Sequence, residues 1–443
     1  MIIFIIFSSF YLFITSDYYI DTLYYFFIHF LLYIFYINKK NFFRFFLFIF
    51  SVLTLATPIL LKEISIDFSL EIPVEKISHN LPETLIYISL YLSILVMVII
   101  IFSSYFAKKR SLILDFSILF NRKSINPILI IFFIIVLAVS SFFWLLSINY
   151  FSYITERPTN PFIVVALVSF SLLTTLILCL GYMIKNNSSN STFMIFLYLF
   201  VVLSAIFFSI KTGSRIALMI PIVAFIYNHK EFFKKKIWLL IFLFPSLTVI
   251  FYSMEISRNS ESNIVLSNFL REKVFYDTKS FIYFTIDIIT NRFNYLKAIN
   301  EVFLTFSNNF NIKEDYLQNI YGFIPRVLWP DKPIMGLNLN YIGIEIKALD
   351  PLDKLTSYSI HYIGESFYQL RWFGLIIAFL QAIILAKIDS IKENISITNY
   401  TLSFKLTIFV VMTGSLLTFL PELFLLITPI IVLCALLNTR SNE

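Results

Sequence analysis

Runs of about twenty apolar residues recur along most of this chain, each long enough to cross a hydrocarbon core of about 30 Å. Inside such a core every backbone N–H and C=O must be satisfied within the segment or by a closed barrel. Barrel strands alternate apolar and polar residues over about ten positions. Stretches such as Ile128–Leu146 and Ile237–Tyr252 are apolar on every side instead, so the runs are expected to be helices. Composition agrees. Charged residues make up 14% of the chain and mean hydropathy is +0.84, whereas a soluble domain carries roughly 25% charged residues.

The expected architecture is an all-α polytopic membrane protein with about 12 transmembrane helices. Spans are placed at about 2–15, 19–38, 42–61, 84–107, 127–148, 161–184, 192–210, 215–228, 237–254, 372–388, 402–419 and 422–438. The first run lacks a basic flank and a small-residue cleavage site, and reads as a retained span rather than a signal peptide. The formal charge of +7 does not imply a nucleic-acid partner, because the basic residues cluster between the spans. Lys39, Lys40 and Arg44 form one cluster, and Lys108, Lys109, Arg110, Arg122 and Lys123 another. Lys185, Lys230 with Lys234–Lys236, Lys387 with Lys392, and Arg440 follow later spans. With strict alternation they all fall on one side, which the positive-inside rule makes cytoplasmic, with both termini there.

Domain organisation follows: residues 1–254 as helices one to nine, 255–371 as a large extracytoplasmic loop, and 372–443 as helices ten to twelve. The loop mixes charges of both signs with many aromatics and four prolines, which is too apolar for a disordered tether. It is expected to fold as short helices on the outer membrane face, some of them amphipathic. Cys179 and Cys434 both fall within spans and read as small buried apolar residues. No internal repeat is visible, so an inverted-repeat transporter gains no support.

Three stretches carry residues suited to chemistry. Lys211-Thr-Gly-Ser-Arg215 breaks the backbone where two spans meet. Arg215 reads either as a snorkelling interfacial residue or as an anion contact at membrane depth. Tyr321-Gly-Phe-Ile-Pro-Arg-Val-Leu-Trp-Pro-Asp-Lys-Pro333 is stiffened by its prolines and carries Arg326 and Lys332. It is either a solvated structural turn or a rigid cationic loop that captures phosphate, which arginine holds bidentately. In Ser359–Gly374, a helix would set His361 and Glu365 one turn apart, with Gln369 a turn further. That spacing suits a general base and the group that orients it. A single His-x-x-x-Glu pair supplies too few ligands for a metal site. Arg292 is a further candidate cation, whereas His29, His79 and His229 receive no role.

At these residues the chain resembles the O-antigen polymerase (Wzy) family of oligosaccharide repeat-unit polymerases. The likeness rests on Thr212-Gly-Ser-Arg215, on Ile324-Pro-Arg-Val-Leu-Trp-Pro-Asp-Lys-Pro333, and on Gly364-Glu365 leading to Phe373-Gly374. The family usually has asparagine before Phe-Gly; this chain has Arg371-Trp372. The resemblance implies a GT-C-like fold in the bacterial inner (plasma) membrane, with the active site facing the periplasm. It implies glycosyl transfer from an undecaprenyl-pyrophosphate-linked donor to a lipid-linked acceptor repeat, without a cofactor, nucleotide sugar or metal. Arg215, Arg292, Arg326 and Lys332 would then hold pyrophosphate, and either His361 or Glu365 would act as base. A chain-length regulator is an expected further partner beside the lipid bilayer. The alternatives are an O-antigen ligase of the same architecture and a lipid-linked oligosaccharide flippase.

Overall fold

A computed structural model describes residues 19–39, 41–61, 81–108, 173–182, 192–212, 215–229, 294–307, 343–346, 360–391 and 397–413, with Leu12, Ile14, Ile184, Lys185 and Phe232 besides. Its longer elements are α1 (Tyr19–Asn38), α2 (Phe42–Leu61), α3 (Pro82–Lys108), α4 (Leu173–Tyr182), α5 (Thr192–Thr212), α6 (Arg215–Asn228), α7 (Tyr295–Phe306), α8 (His361–Leu370), α9 (Gly374–Asp389) and α10 (Ile397–Thr413). Among the described residues there is no strand. The expected spans at 127–148, 237–254 and 422–438 lie outside the described residues, as does almost all of 2–15.

Among the described residues, four segments are long and apolar enough to cross a membrane by length and composition: Tyr19–Asn38, Phe42–Leu61, Pro82–Ala107 and His361–Asp389, the last interrupted at Arg371–Phe373. Their surfaces are inverted relative to a soluble protein. Leu23, Phe26, Phe27 and Phe30 of α1, and Ile86, Leu90, Met97 and Ile101 of α3, are exposed, whereas Arg44, Asp389, Asn300 and Gln369 are buried. Apolar faces of this size on several helices mark contact with lipid. The described residues are those of a helical membrane protein.

Two compact units can be described separately, the first holding α1, α2, α3, α7, α8 and α9, the second α4, α5, α6 and most of α10. The first unit is closed at one end by a buried ion pair. Asn41 caps α2, its side chain accepting from the Arg44 amide at 2.9 Å, which aims Arg44 into the bundle. Arg44 is 1% exposed and Asp389 fully buried. The guanidinium grips the carboxylate in a fork, Nε to Oδ1 at 3.1 Å and Nη2 to Oδ2 at 2.7 Å. Nη1 donates to the Phe35 carbonyl at 3.1 Å and to Asn38 Oδ1 at 3.0 Å, and Nη2 also reaches Ser103 Oγ at 3.3 Å. All five guanidinium N–H groups are thereby used. Asn41 Nδ2 donates to Asp389 Oδ1 at 2.7 Å, and Lys39 Nζ lies 3.6 Å from Oδ2. One clamp thus ties the ends of α1, α3 and α9 to the start of α2.

From that end the contacts ascend in order. Tyr24 Oη donates to the Leu55 carbonyl at 3.3 Å, so α1 and α2 run antiparallel. Lys387 lies over the Phe106 ring, Tyr91 Oη donates to Gln381 Oε1 at 2.5 Å, and the Tyr87 hydroxyl meets Gly374. α3 and α9 therefore run parallel. Their interface is made close by Gly374, Ala378, Ala382 and Ala386, all buried at four-residue spacing. Such small-residue stripes let helix backbones approach in a bilayer, where packing rather than hydrophobic exclusion drives association.

The segment expected as a separate outer loop contributes α7 and α8 to this same unit, packed on α2 and α3. At Arg371–Phe373 the chain reverses. Arg371 has φ 55°, and its guanidinium caps α8 by donating from Nη1 to the Phe367 carbonyl at 3.2 Å and to the Tyr368 carbonyl. A cation there also complements the helix C-terminus. After the reversal Gly374 lies against Ser366, where a Cβ would come within 2.5 Å of the Ser366 carbonyl oxygen and 2.4 Å of Tyr87 Oη. Only glycine fits, which gives the Phe373-Gly374 pair a physical reason.

The second unit is organised by Asn228. Its Nδ2 donates to the Ile177 carbonyl at 2.8 Å and to Tyr198 Oη at 3.3 Å, and its Oδ1 accepts from Tyr400 Oη at 2.9 Å. One amide thus joins α4, α5, α6 and α10. Gly181 makes the approach possible, since a Cβ there would sit 2.1 Å from Asn228 Nδ2. Cys179 is buried in α4, as expected, while Cys434 lies outside the described residues.

Two substitutions test the first unit. Asp389→Asn leaves a buried guanidinium without its counter-charge and is expected to cost about 3–5 kcal/mol. Adding Arg44→Gln should recover a large part of that loss, read as melting temperature in detergent. Gly374→Ala should cost about 1–3 kcal/mol by overpacking the reversal, with loss of monodisperse protein on size exclusion.

Candidate functional site

α7 and α8 lie side by side and point the same way. Tyr295 contacts His361 with ring centroids 5.1 Å apart, Ile299 packs on Gly364, and Phe303 stacks on Phe367 at 3.5 Å. Phe306 meets Tyr368 edge-on at 5.2 Å. The start of α7 is set by Asn294, whose side chain accepts from the Lys297 amide at 3.0 Å. Its middle is pinned by Asn300, whose Oδ1 accepts from the Leu81 amide at 2.8 Å and from Thr84 Oγ1 at 3.1 Å. The N-terminal ends of both short helices thus meet inside the unit, beside Phe50 of α2. Each brings the positive end of a helix dipole to that place.

His361 is the first residue of α8 and has φ 62°. Histidine tolerates this region better than most residues, but a left-handed backbone still stores strain, and such strain gathers at functional sites. The side chain is 4% exposed, between Tyr295 and Tyr362. Neither ring nitrogen has a hydrogen-bond partner among the described residues. Buried imidazoles usually satisfy at least one nitrogen. Among the described residues, this one is held by the rings of Tyr295 and Tyr362.

Glu365 follows one helical turn later and is partly exposed, accepting from Gln369 Nε2 at 3.4 Å. His361 and Glu365 do share a helix at the expected spacing, but no hydrogen bond joins them. The other candidates are less visible. Arg215 opens α6, in the second unit, with its side chain outside those described. Arg292, Arg326, Lys332 and the whole Ile324–Pro333 turn lie outside the described residues.

Sequence reasoning passed over several residues that shape this region. Tyr91 and Gln381 form a short bond inside two apolar runs, and the Tyr91 ring lies 5.8 Å from that of Tyr362. Tyr87 Oη and Ser366 Oγ are 3.2 Å apart, and the Tyr87 ring abuts Phe303, Phe367 and Trp372. The available signal was the polar residue inside an apolar run, Gln381 above all, since such residues face the bundle interior. Arg371, noted as a departure from a family pattern, proves to be the cap of α8.

The His361 geometry predicts an unusual separation of stability from function. His361→Phe removes two unpartnered buried nitrogens, each of which costs about 1–3 kcal/mol to bury. The variant should melt within a few degrees of wild type, because relief from two buried nitrogens offsets the poorer tolerance of phenylalanine for φ 62°; a much larger drop would count against unpartnered nitrogens.

No protein-family model, no curated protein and no solved structure matches this chain.

Proposed function

We propose that this protein is a polysaccharide repeat-unit polymerase of the bacterial plasma membrane. In this reading it has about twelve spans in a GT-C-like arrangement, with both termini cytoplasmic and its site facing outward. It transfers the growing glycan from undecaprenyl pyrophosphate to a fresh lipid-linked repeat unit, forming O-antigen or capsule. The Pro-Arg and Trp-Pro-Asp-Lys-Pro pattern of residues 325–333 supports this reading from sequence. The observation that carries it is His361, buried at a strained helix start with both ring nitrogens unpartnered among the described residues.

The chemistry follows from those groups. The acceptor hydroxyl oxygen attacks the donor's anomeric carbon as the bond from that carbon to the pyrophosphate oxygen breaks. The leaving pyrophosphate takes the bonding electron pair, and preorganised cations stabilise the charge that builds there. Arg215, Arg292, Arg326 and Lys332 supply those cations. The hydroxyl proton passes to His361, or to Glu365 on the same helix face. A neutral imidazole offers a ring nitrogen that can accept the proton, and a carboxylate offers an oxygen that can do the same. Clustering of Lys39 and Arg44 at the clamp, with Lys108 and Lys387 at the same helix ends, supports a cytoplasmic location for that end of the bundle.

Deletion of the gene should shorten the surface glycan ladder to a single unit. A ligase would instead leave full polymer stranded on its carrier, and a flippase would leave repeats on the cytoplasmic leaflet. Arg215→Ala and Arg326→Ala should each reproduce the single-unit ladder at normal protein level. His361→Gln and Glu365→Gln should differ, the true base being the one whose loss makes lipid-linked single repeats accumulate.

A further inference from the structure

Three buried polar side chains converge where α8 begins and α2 changes its winding. Ser51 is the last residue of the α-helical part of α2, and a π-helical turn, Val52–Ala56, follows at once. Such turns shift the side chains before them and recur at functional sites. The Tyr362 and Ser51 hydroxyls lie within reach of each other but are not aligned for a hydrogen bond. Ser51 Oγ, Tyr362 Oη and both nitrogens of His361 complete no hydrogen bond among the described residues. Ser51, His361 and Tyr362 are each more than nine-tenths buried. They form one locus: the His361 and Tyr362 rings lie 4.0 Å apart, and Tyr295 bridges His361 to Phe50, the neighbour of Ser51.

We propose that Ser51, His361 and Tyr362 bind one hydroxyl group of a neutral sugar, that of the acceptor, a proposal that rests on the glycan-transfer reading above. A hydroxyl offers two lone pairs and one proton. The Ser51 and Tyr362 hydroxyls donate to its oxygen, and a ring nitrogen of His361 accepts its proton. None of the three side chains is a fixed charge, and the nearest fully buried cation of α2, Arg44, spends all its donors on the clamp. The set therefore suits an uncharged polar group rather than a phosphate. The ends of α7 and α8 meet here with their dipoles positive, which favours the oxygen as it gains negative character during attack. Tyr91, held by Gln381, supports the Tyr362 ring from behind.

The test uses the full chain in lipid nanodiscs with ¹⁵N-labelled imidazoles, which report on four histidines; His361→Gln identifies the ring in question. The probes are lipid-linked single repeat units extracted from the deletion strain, and undecaprenyl pyrophosphate without sugar. The single repeat should shift the His361 nitrogens and the sugarless carrier should not. Ser51→Ala and Tyr362→Phe should each weaken binding of the repeat about tenfold, the loss expected for one hydrogen bond to a buried group. Both variants should melt no lower than wild type, because each removes an unpartnered oxygen. An equal shift with the sugarless carrier, or unchanged affinity in both variants, overturns the assignment of these three residues while a ladder shortened by gene deletion still stands. An unchanged ladder removes the transfer reading and this proposal with it.

Discussion

A single charged pair governs how the first unit can be assembled. Removing Arg44 and Asp389 from water is costly, and the cost is offset only because every guanidinium N–H finds an oxygen and the carboxylate takes a forked grip. This requirement brings four helix ends to one place. With those ends fixed, α3 and α9 can run parallel in close contact along the Gly-Ala stripe, and their polar groups must face inward, away from the apolar exterior. Tyr91 and Gln381 satisfy each other on that buried interface, as do Thr84 and Asn300 where α3 meets α7.

The reversal at Arg371–Phe373 has the next largest consequence. It folds α8 back beside α9, so that His361 ends deep in the unit instead of at its edge. Three features make the reversal possible: a left-handed arginine, its guanidinium on the last carbonyls of α8, and a glycine where no Cβ fits. α7 completes the arrangement by stacking its aromatic face on α8 in register. The outcome is two short helices whose starts meet inside the unit, with an imidazole between them. Broken helices at membrane depth are tolerated where they are buried in protein, and they are one of the few ways to bring backbone dipole and side-chain chemistry to the same point.

For glycosyl transfer this division of labour is coherent. A base and hydroxyl donors belong on rigid, buried elements, because a misplacement of about 1 Å costs a large share of the rate. Cations for a diphosphate can come from separate stretches, since their contribution is electrostatic and longer in range. Under the proposed reading, buried groups that await an acceptor cost stability in its absence, so such a site is expected to lie below the stability optimum of its fold.

Helix positions were legible from sequence alone, because periodic length and the absence of charge are local properties: Tyr19–Asn38, Phe42–Leu61 and Gly374–Asp389 lie where hydropathy puts them. The spacing of His361 and Glu365 on one helix was legible for the same reason. Partnership was not. Arg44 read as a loop cation, and only the fold shows it buried against Asp389, some 345 residues away in sequence. The left-handed start of α8 and the burial of Ser51 were equally invisible, since each depends on which side chains surround it. Sequence by itself determined that this chain must bury its backbone in apolar helices. Tertiary structure decided which few polar groups those helices enclose, because that choice is made by contacts between segments that no local pattern encodes.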